Sequence, residues 1–186
     1  MNVFFAGTGG FGAPSLEALT RLGPSVSVGK VLTRSDRPKG RGRKLYPTPI
    51  KEAARKLGLA VATVDTVSAL REEVAGEPHD LLVVIDFGML LPEDVFTAPR
   101  CGAYNFHASL LPRWRGAAPC PRAILAGDTT TGVTCFQIVK ALDAGPVAGM
   151  REVAIEPDET AGSLEERLSR ESALLLHHLV PDILAG

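Results

Sequence analysis

The stretch Leu81-Leu82-Val83-Val84-Ile85 constrains the fold more than any other part of the chain. Five successive aliphatic residues leave neither face of a strand for water, so the segment reads as the central strand of a sheet covered on both sides. Strand-like runs recur at 2–6 (NVFFA), 26–32 (VSVGKVL), 104–106 (YNF), 133–139 (VTCFQIV) and, more weakly, 147–155 (VAGMREVAI). Helical patterns fall between them. The first runs from Pro14 to Leu22, and the second opens at Thr48 as N-cap with Pro49 in the first turn and stops at Gly58. A third covers Ser68 to Val74, and a fourth covers Ala117 to Ala126, with Pro119 and Pro121 in or before its first turn. The last helix begins near Ser163, where Ser163 and Glu166 make a capping-box pattern, and Leu164, Leu168, Leu175 and Leu179 form a stripe for core packing. Strands alternating with helices predict an α/β fold, with one mostly parallel sheet covered by helices on both faces and a single domain over 1–186.

A chain of 186 residues that is 45% hydrophobic is long and apolar enough to bury a core, which excludes intrinsic disorder. Its net charge of −1 excludes a general polycation, so any nucleic-acid contact must come from a local patch. No apolar run approaches membrane-spanning length, and the start MNVFFAG lacks the basic flank and length of a secretion signal. Cys101, Cys120 and Cys135 are odd in number and widely spaced, which fits reduced thiols in a cytoplasmic protein better than zinc ligands or disulfides.

Gly7, Gly9 and Gly12 fit the G-x-G-x-x-G spacing of a dinucleotide loop, after a strand and before a helix. A dinucleotide site also wants an acid at the end of the second strand. Asp36 is the candidate, but it stands among Arg34, Arg37, Lys39, Arg41, Arg43 and Lys44, a setting that suits a 2′-phosphate and so an NADP-dependent reductase. The competing reading is that these glycines permit a tight turn with close packing.

The densest chemistry lies in residues 101–147. On a strand, Asn105 and His107 project to one side and Phe106 to the other. The first offers an amide donor and the second a proton carrier near neutral pH. Asp143, in the turn Leu142-Asp143-Ala144-Gly145-Pro146 after a later strand, is placed to meet them at the carboxyl end of the sheet, where it would favour and orient a protonated imidazole. The plainer reading is a structural His-Asn pair and an ordinary turn.

The run NFHASLLPRWRGAAP, followed by TGVT and LDAGP, resembles the signature of the 10-formyltetrahydrofolate-dependent formyltransferases, and within them the tRNA-acting branch most of all. The FAGT start, DRPKGRGRKL, PTPIKEAA and DFGMLLP match in order and spacing, so the likeness spans nearly the whole chain. The resemblance implies a Rossmann-like sheet that holds no dinucleotide. It implies transfer of the formyl group of 10-formyltetrahydrofolate to the amino group of initiator methionyl-tRNA, with Asn105, His107 and Asp143 catalytic and no metal required. It places folate beside Ser109, Leu110, Leu111 and Pro112, with backbone groups of Met89 and Leu90 at the pterin edge. Arg37, Lys39, Arg41, Arg43 and Lys44 become contacts to the tRNA acceptor stem, with Trp114 and Arg115 bordering the acceptor. A cytoplasmic monomer without membrane contact is expected, and a Leu111–Pro112 cis peptide would shape the turn.

Two departures stand out. Relatives often carry Gly-Thr-Pro where this chain has Gly7-Thr8-Gly9, and the tRNA-acting enzymes normally carry a C-terminal β-barrel domain that is expected to be absent here. A formyltransferase for a small amine such as an amino sugar is therefore the close alternative, and the NADP-dependent reductase the distant one.

Overall fold

The computed structural model describes residues 1–39 and 44–186. In chain order the elements are β1 (Asn2–Gly7), a 3₁₀ turn (Gly10–Gly12), α1 (Ala13–Thr20), β2 (Ser27–Thr33), β3 (Arg37–Lys39), β4 (Lys44–Tyr46), α2 (Pro49–Lys56), β5 (Val61–Thr63) and α3 (Val67–Ala75). They continue with β6 (Leu81–Ile85), α4 (Glu93–Phe96), β7 (Ala103–His107), α5 (Pro119–Leu125), β8 (Thr130–Gln137), β9 (Val147–Ala154) and α6 (Ala161–Ala185). Among the described residues seven strands form one sheet in the order β5-β2-β1-β6-β7-β8-β9. The pairs β5–β2, β2–β1, β1–β6 and β6–β7 are parallel, and β8 and β9 add on antiparallel. The expected α/β class and mostly parallel sheet are therefore found.

Residues 81–85 form a central strand as expected, with four of the five fully buried and Val84 5% exposed. Alternate side chains feed opposite cores, as period two requires. Leu81, Val83 and Ile85 join Val3, Phe5, Phe106 and the buried leucines of α6, whereas Leu82 and Val84 join Phe4, Leu70, Val74, Val95 and Phe96. Each large aliphatic side chain so buried contributes about 1.5–3 kcal/mol.

The sheet order reverses between β1 and β6. The chain winds outward through β2 and β5, returns to the centre at β6 and then proceeds the other way. The loops after β1 and β6 thus part around a switch point, where open α/β sheets form their crevices.

Local signals set most element ends. Thr48 caps α2 by accepting a hydrogen bond from Lys51 N at 3.2 Å, with Pro49 in the first turn, and Gly58 ends it at φ +70°. The last helix differs from expectation. Its N-cap is Thr160, whose hydroxyl accepts from Ser163 N at 3.2 Å while the Ser163 hydroxyl accepts from Thr160 N at 3.0 Å, so Ser163 is the third helical residue rather than the cap. The short β5, the hairpin β3–β4 and α4 carried too little periodic pattern to be read beforehand. No helix among the described residues is long and apolar enough to cross a membrane.

Candidate active site

β7 delivers the two side chains singled out above. It pairs in parallel with β6, placing Asn105 beside Val84, and antiparallel with β8, placing His107 opposite Thr134. Phe106 is 2% exposed in the α6-side core, while Asn105 and His107 face a cleft of about 860 Å³. Asp143, from the turn between β8 and β9, lines the same cleft. Its Oδ2 lies 3.9 Å from His107 Nδ1, with both side chains about nine-tenths buried. The three residues are therefore brought together.

Backbone groups fix this arrangement. The Trp114 carbonyl lies 2.8 Å from His107 Nε2. A carbonyl only accepts, so Nε2 carries the proton and Nδ1 is the atom turned to Asp143. Asp143 Oδ2 accepts from Gly116 N at 2.7 Å. A separation of 3.9 Å is too long for a direct hydrogen bond and leaves the imidazole and carboxylate able to share a bridging atom.

Among the described residues four that are not glycine take the left-handed backbone region: Asp86 (φ 48°), Trp114 (φ 59°), Ala118 (φ 54°) and Asp143 (φ 45°). Three of them line the cleft, and the fourth supplies the carbonyl that holds His107. Such conformations cost on the order of 1–3 kcal/mol each and concentrate where function needs a fixed geometry.

The loop between β7 and α5 is braced from outside. Asp128 accepts from Arg113 Nε at 2.9 Å, Arg113 Nη2 at 2.5 Å and Trp114 Nε1 at 2.7 Å. Arg113, foremost, and then the indole hold the Asp128 carboxyl below the usual carboxylate value. Trp114 is also flanked by the guanidinium groups of Arg113 and Arg122, at 4.3 and 4.8 Å. Its ring is thereby committed to the loop, and neither Trp114 nor Arg115 lines the cleft.

The other expected contacts divide. Met89 and Leu90 line the cleft, with Leu90 76% exposed, and Phe87, Leu91, Phe96 and Ile138 make that side apolar. Ser109, Leu110, Leu111 and Pro112 are not among the residues that line it. Ser109 is fully buried and donates to the Arg113 carbonyl at 2.6 Å, and Leu111 N donates to Thr134 Oγ1 at 3.1 Å. Leu110 packs over Gly132, where an added Cβ would come within 2.7 Å of it. The segment is a turn scaffold, and Leu111–Pro112 is cis.

In the glycine loop Thr8 N and Gly9 N turn inward and donate to the Asp86 carbonyl at 3.0 and 3.4 Å, which takes two of its amides from any bound phosphate. Asp36 pairs with Lys51 at 2.6 Å and is not free for a ribose. Of the basic cluster, Arg34 is held by Asp65 and Arg37 is exposed on β3. Arg41 and Arg43 lie outside the described residues, as do the side chains of Lys39 and Lys44.

Sequence reading missed Asp86, Glu165, Cys120 and Lys140, which also line the cleft. A signal for Asp86 was present, since it is the acid that ends the central strand. Burial, and then the Glu165 charge, raise its carboxyl above the usual value even though part of it meets solvent. Burial pushes the Cys120 thiol up to about 11 and the Cys135 thiol up to about 12. Among the described residues no cluster of three or more His, Cys, Asp or Glu side chains is placed to hold a metal.

A family model described as formyl transferase matches residues 1–180. The chain is 48% identical over 186 residues to a methionyl-tRNA formyltransferase of Halorhodospira halophila and 48% identical over 188 residues to that of Methylococcus capsulatus. All of the chain is covered in both matches, but it spans only 59% and 60% of those relatives' lengths. Among solved structures it superposes on phosphoribosylglycinamide formyltransferase from Anaplasma phagocytophilum with a TM-score of 0.83 at 23% identity, covering 100% of this chain and 87% of that one. It also superposes on a sugar N-formyltransferase from a Shewanella species with a TM-score of 0.72 at 18% identity, covering 100% and 70%. At these identities the two structures speak for the fold.

Proposed function

The chain belongs to the formyl transferase family, and from that premise we propose that it carries the formyl group of 10-formyltetrahydrofolate to the amino group of initiator methionyl-tRNA. What carries this reading is the convergence of Asn105, His107 and Asp143 on one cleft. The relatives named for the same reaction, at 48% identity, support the choice of acceptor.

The acceptor attacks as a neutral amine. Its nitrogen lone pair forms the new C–N bond, and the carbonyl π pair moves onto oxygen. The Asn105 amide and the Nδ1–H of protonated His107, whose Nε2–H is held by the Trp114 carbonyl, donate to that oxyanion, the charge that exists only in the transition state and intermediate. Asp143, whose carboxylate faces Nδ1 without bonding it directly, passes the proton lost by the amine through a bridging water to the leaving N10. The C=O re-forms as the bond to N10 breaks. The apolar wall of Phe87, Met89 and Leu91 receives the flat pterin, with Leu90 at the mouth. Arg37, with Lys39, Arg41, Arg43 and Lys44, meets the phosphates of the acceptor stem.

The test is incubation of the chain with 10-formyltetrahydrofolate and charged initiator tRNA, followed by assay for formyl-methionine. Formyl-methionine is the expected product. Formylation of a small amine such as an amino sugar, and not of the tRNA, overturns the acceptor assignment. Binding to tRNA should weaken steeply as salt rises, and a flat response counts against the basic hairpin.

A further inference from the structure

The transfer described above leaves one carboxylate of the cleft, Asp86, without a role. Asp86 sits at the end of β6 with its peptide gripped by Thr8 N and Gly9 N, and the Thr8 hydroxyl donates to the next carbonyl, that of Phe87, at 2.8 Å. Its side chain rests on Gly9. A Cβ at position 9 would lie 1.7 Å from Asp86 Oδ2 and 2.9 Å from Cγ. Yet Gly9 has φ −77° and ψ 174°, an extended conformation open to any residue. The missing side chain at 9 therefore serves space rather than backbone freedom, and the space is filled by the carboxylate. Among the described residues that carboxylate meets neither a hydrogen-bond donor nor a cation, and the charge it feels is that of Glu165. Asp86 is exposed, so this unpaired carboxylate beside another acid stands open to a cation arriving from solvent.

The two sides of the cleft differ in chemistry. Val84, Phe87, Met89, Leu91 and Ile138 belong to the α3–α4 core, whereas Phe11 and Cys120 belong to the α6 core. Phe11 and Glu165 also line a neighbouring hollow of about 340 Å³ against α6. One side suits a flat apolar donor, and the side with Asp86 and Glu165 suits a cationic amine. An α-amino group titrates at about 7.7–8.0, so at neutral pH it enters mostly as an ammonium, which cannot attack.

We propose that Asp86 is the acceptor-side residue of the cleft. Its carboxylate receives the amine acceptor as an ammonium and takes one proton from it, presenting the neutral amine to the formyl carbon. This rests on the formyl-transfer reading. The balance closes: the ammonium gives one proton to Asp86, which releases it to solvent, and the amine's second proton leaves on N10 of the donor. The other titratable groups lining the cleft are Glu93, His107, Cys120, Lys140, Asp143 and Glu165. They are common to wild type and variant, so ratios between the two isolate Asp86.

The experiment measures initial rates of the full chain with methionyl-tRNA and 10-formyltetrahydrofolate from about pH 6.5 to about pH 9, bracketing the amine. Asp86→Asn should raise the acceptor KM about tenfold at neutral pH, a typical loss for one charge-assisted contact, and leave the donor KM unchanged. The wild-type to variant ratio of kcat/KM should fall toward one as pH passes the amine's own value. Gly9→Ala, which the backbone accommodates, should displace the carboxylate and reproduce the acceptor defect with an unchanged melting temperature. An unchanged acceptor KM in Asp86→Asn, or a ratio independent of pH, overturns the assignment while leaving formyl transfer standing. A wild-type chain that formylates no amine overturns the formyl-transfer reading first.

Discussion

Two loops leave the same sheet and spend their residues in opposite ways. The loop after β1, residues 7–12, bears the familiar glycine spacing, but the amides of Thr8 and Gly9 and the empty Cβ positions of Gly7, Gly9 and Gly12 are used up by the protein itself. A Cβ on Gly7 would meet Phe5 Cε1 at 2.8 Å and the Ile85 carbonyl at 2.9 Å, and one on Gly12 would meet Ile50 and Ile85 at 3.3 Å. The loop after β7, residues 108–118, bears no such spacing. It holds two left-handed non-glycine residues, supplies the carbonyl that fixes His107 and borders the cleft through Gly116–Ala118. A loop that consumes its own polar groups is architecture, and one that strains its backbone to present them is equipment for chemistry.

That contrast can be broken by experiment. The largest effect is expected beside the second loop. Asn105→Ala and His107→Ala should each lower kcat by about 10²–10³-fold, the cost of one oxyanion donor, with melting temperatures close to wild type. Near-normal turnover in either variant would place the chemistry elsewhere. In the first loop Gly7→Ala should act the other way. Overpacking against Phe5 and Ile85 should cost about 1–3 kcal/mol of stability, read as a lowered denaturant midpoint, with kcat of the folded fraction unchanged. A selective loss of kcat there would mean that the glycine loop touches the reaction after all.

A smaller effect concerns the brace on the second loop. Asp128 has its carboxyl lowered in the folded state, so the stability it lends is full above the ordinary carboxylate value of about 3.9 and is lost as pH falls toward its folded value. Asp128→Asn should therefore flatten the acid limb of a stability–pH profile. An unaltered limb would show that the Arg113–Trp114–Asp128 contacts contribute nothing measurable. Smallest of all, Thr48→Ala should cost about 1 kcal/mol through the lost cap of α2, without any change in turnover.

Much of the frame was legible because it rests on local rules. Leu81–Ile85 allowed only a doubly covered strand, Thr48-Pro49 allowed only a helix start, and the parity of Asn105, Phe106 and His107 put the first and last together. What escaped notice depends on contacts between distant segments. That Ser109 turns inward, and that Leu111 is tied by its amide to Thr134, follows from partners at Arg113 and Thr134. That Trp114 faces Asp128 rather than the cleft follows from a hydrogen bond across fourteen residues. Asp86 was quoted within a matching segment but given no role, because only the β1–β6 neighbourhood reveals the space that Gly9 leaves for it. Residues 133–139 read as a strand, yet β8 starts at Thr130 and ends at Gln137, since its pairing with β7 and β9 rather than its own pattern sets the ends.

The left-handed residues of the loop between β7 and α5 bear on how this molecule would respond to selection for heat tolerance. Glycine adopts that backbone without steric penalty, so Trp114 and Ala118 are positions where such selection should enrich it. Each replacement would relax the polypeptide while surrendering a preset posture around the imidazole. Durability and speed would then be bargained against each other along one short arc of chain, far from the hydrophobic interior.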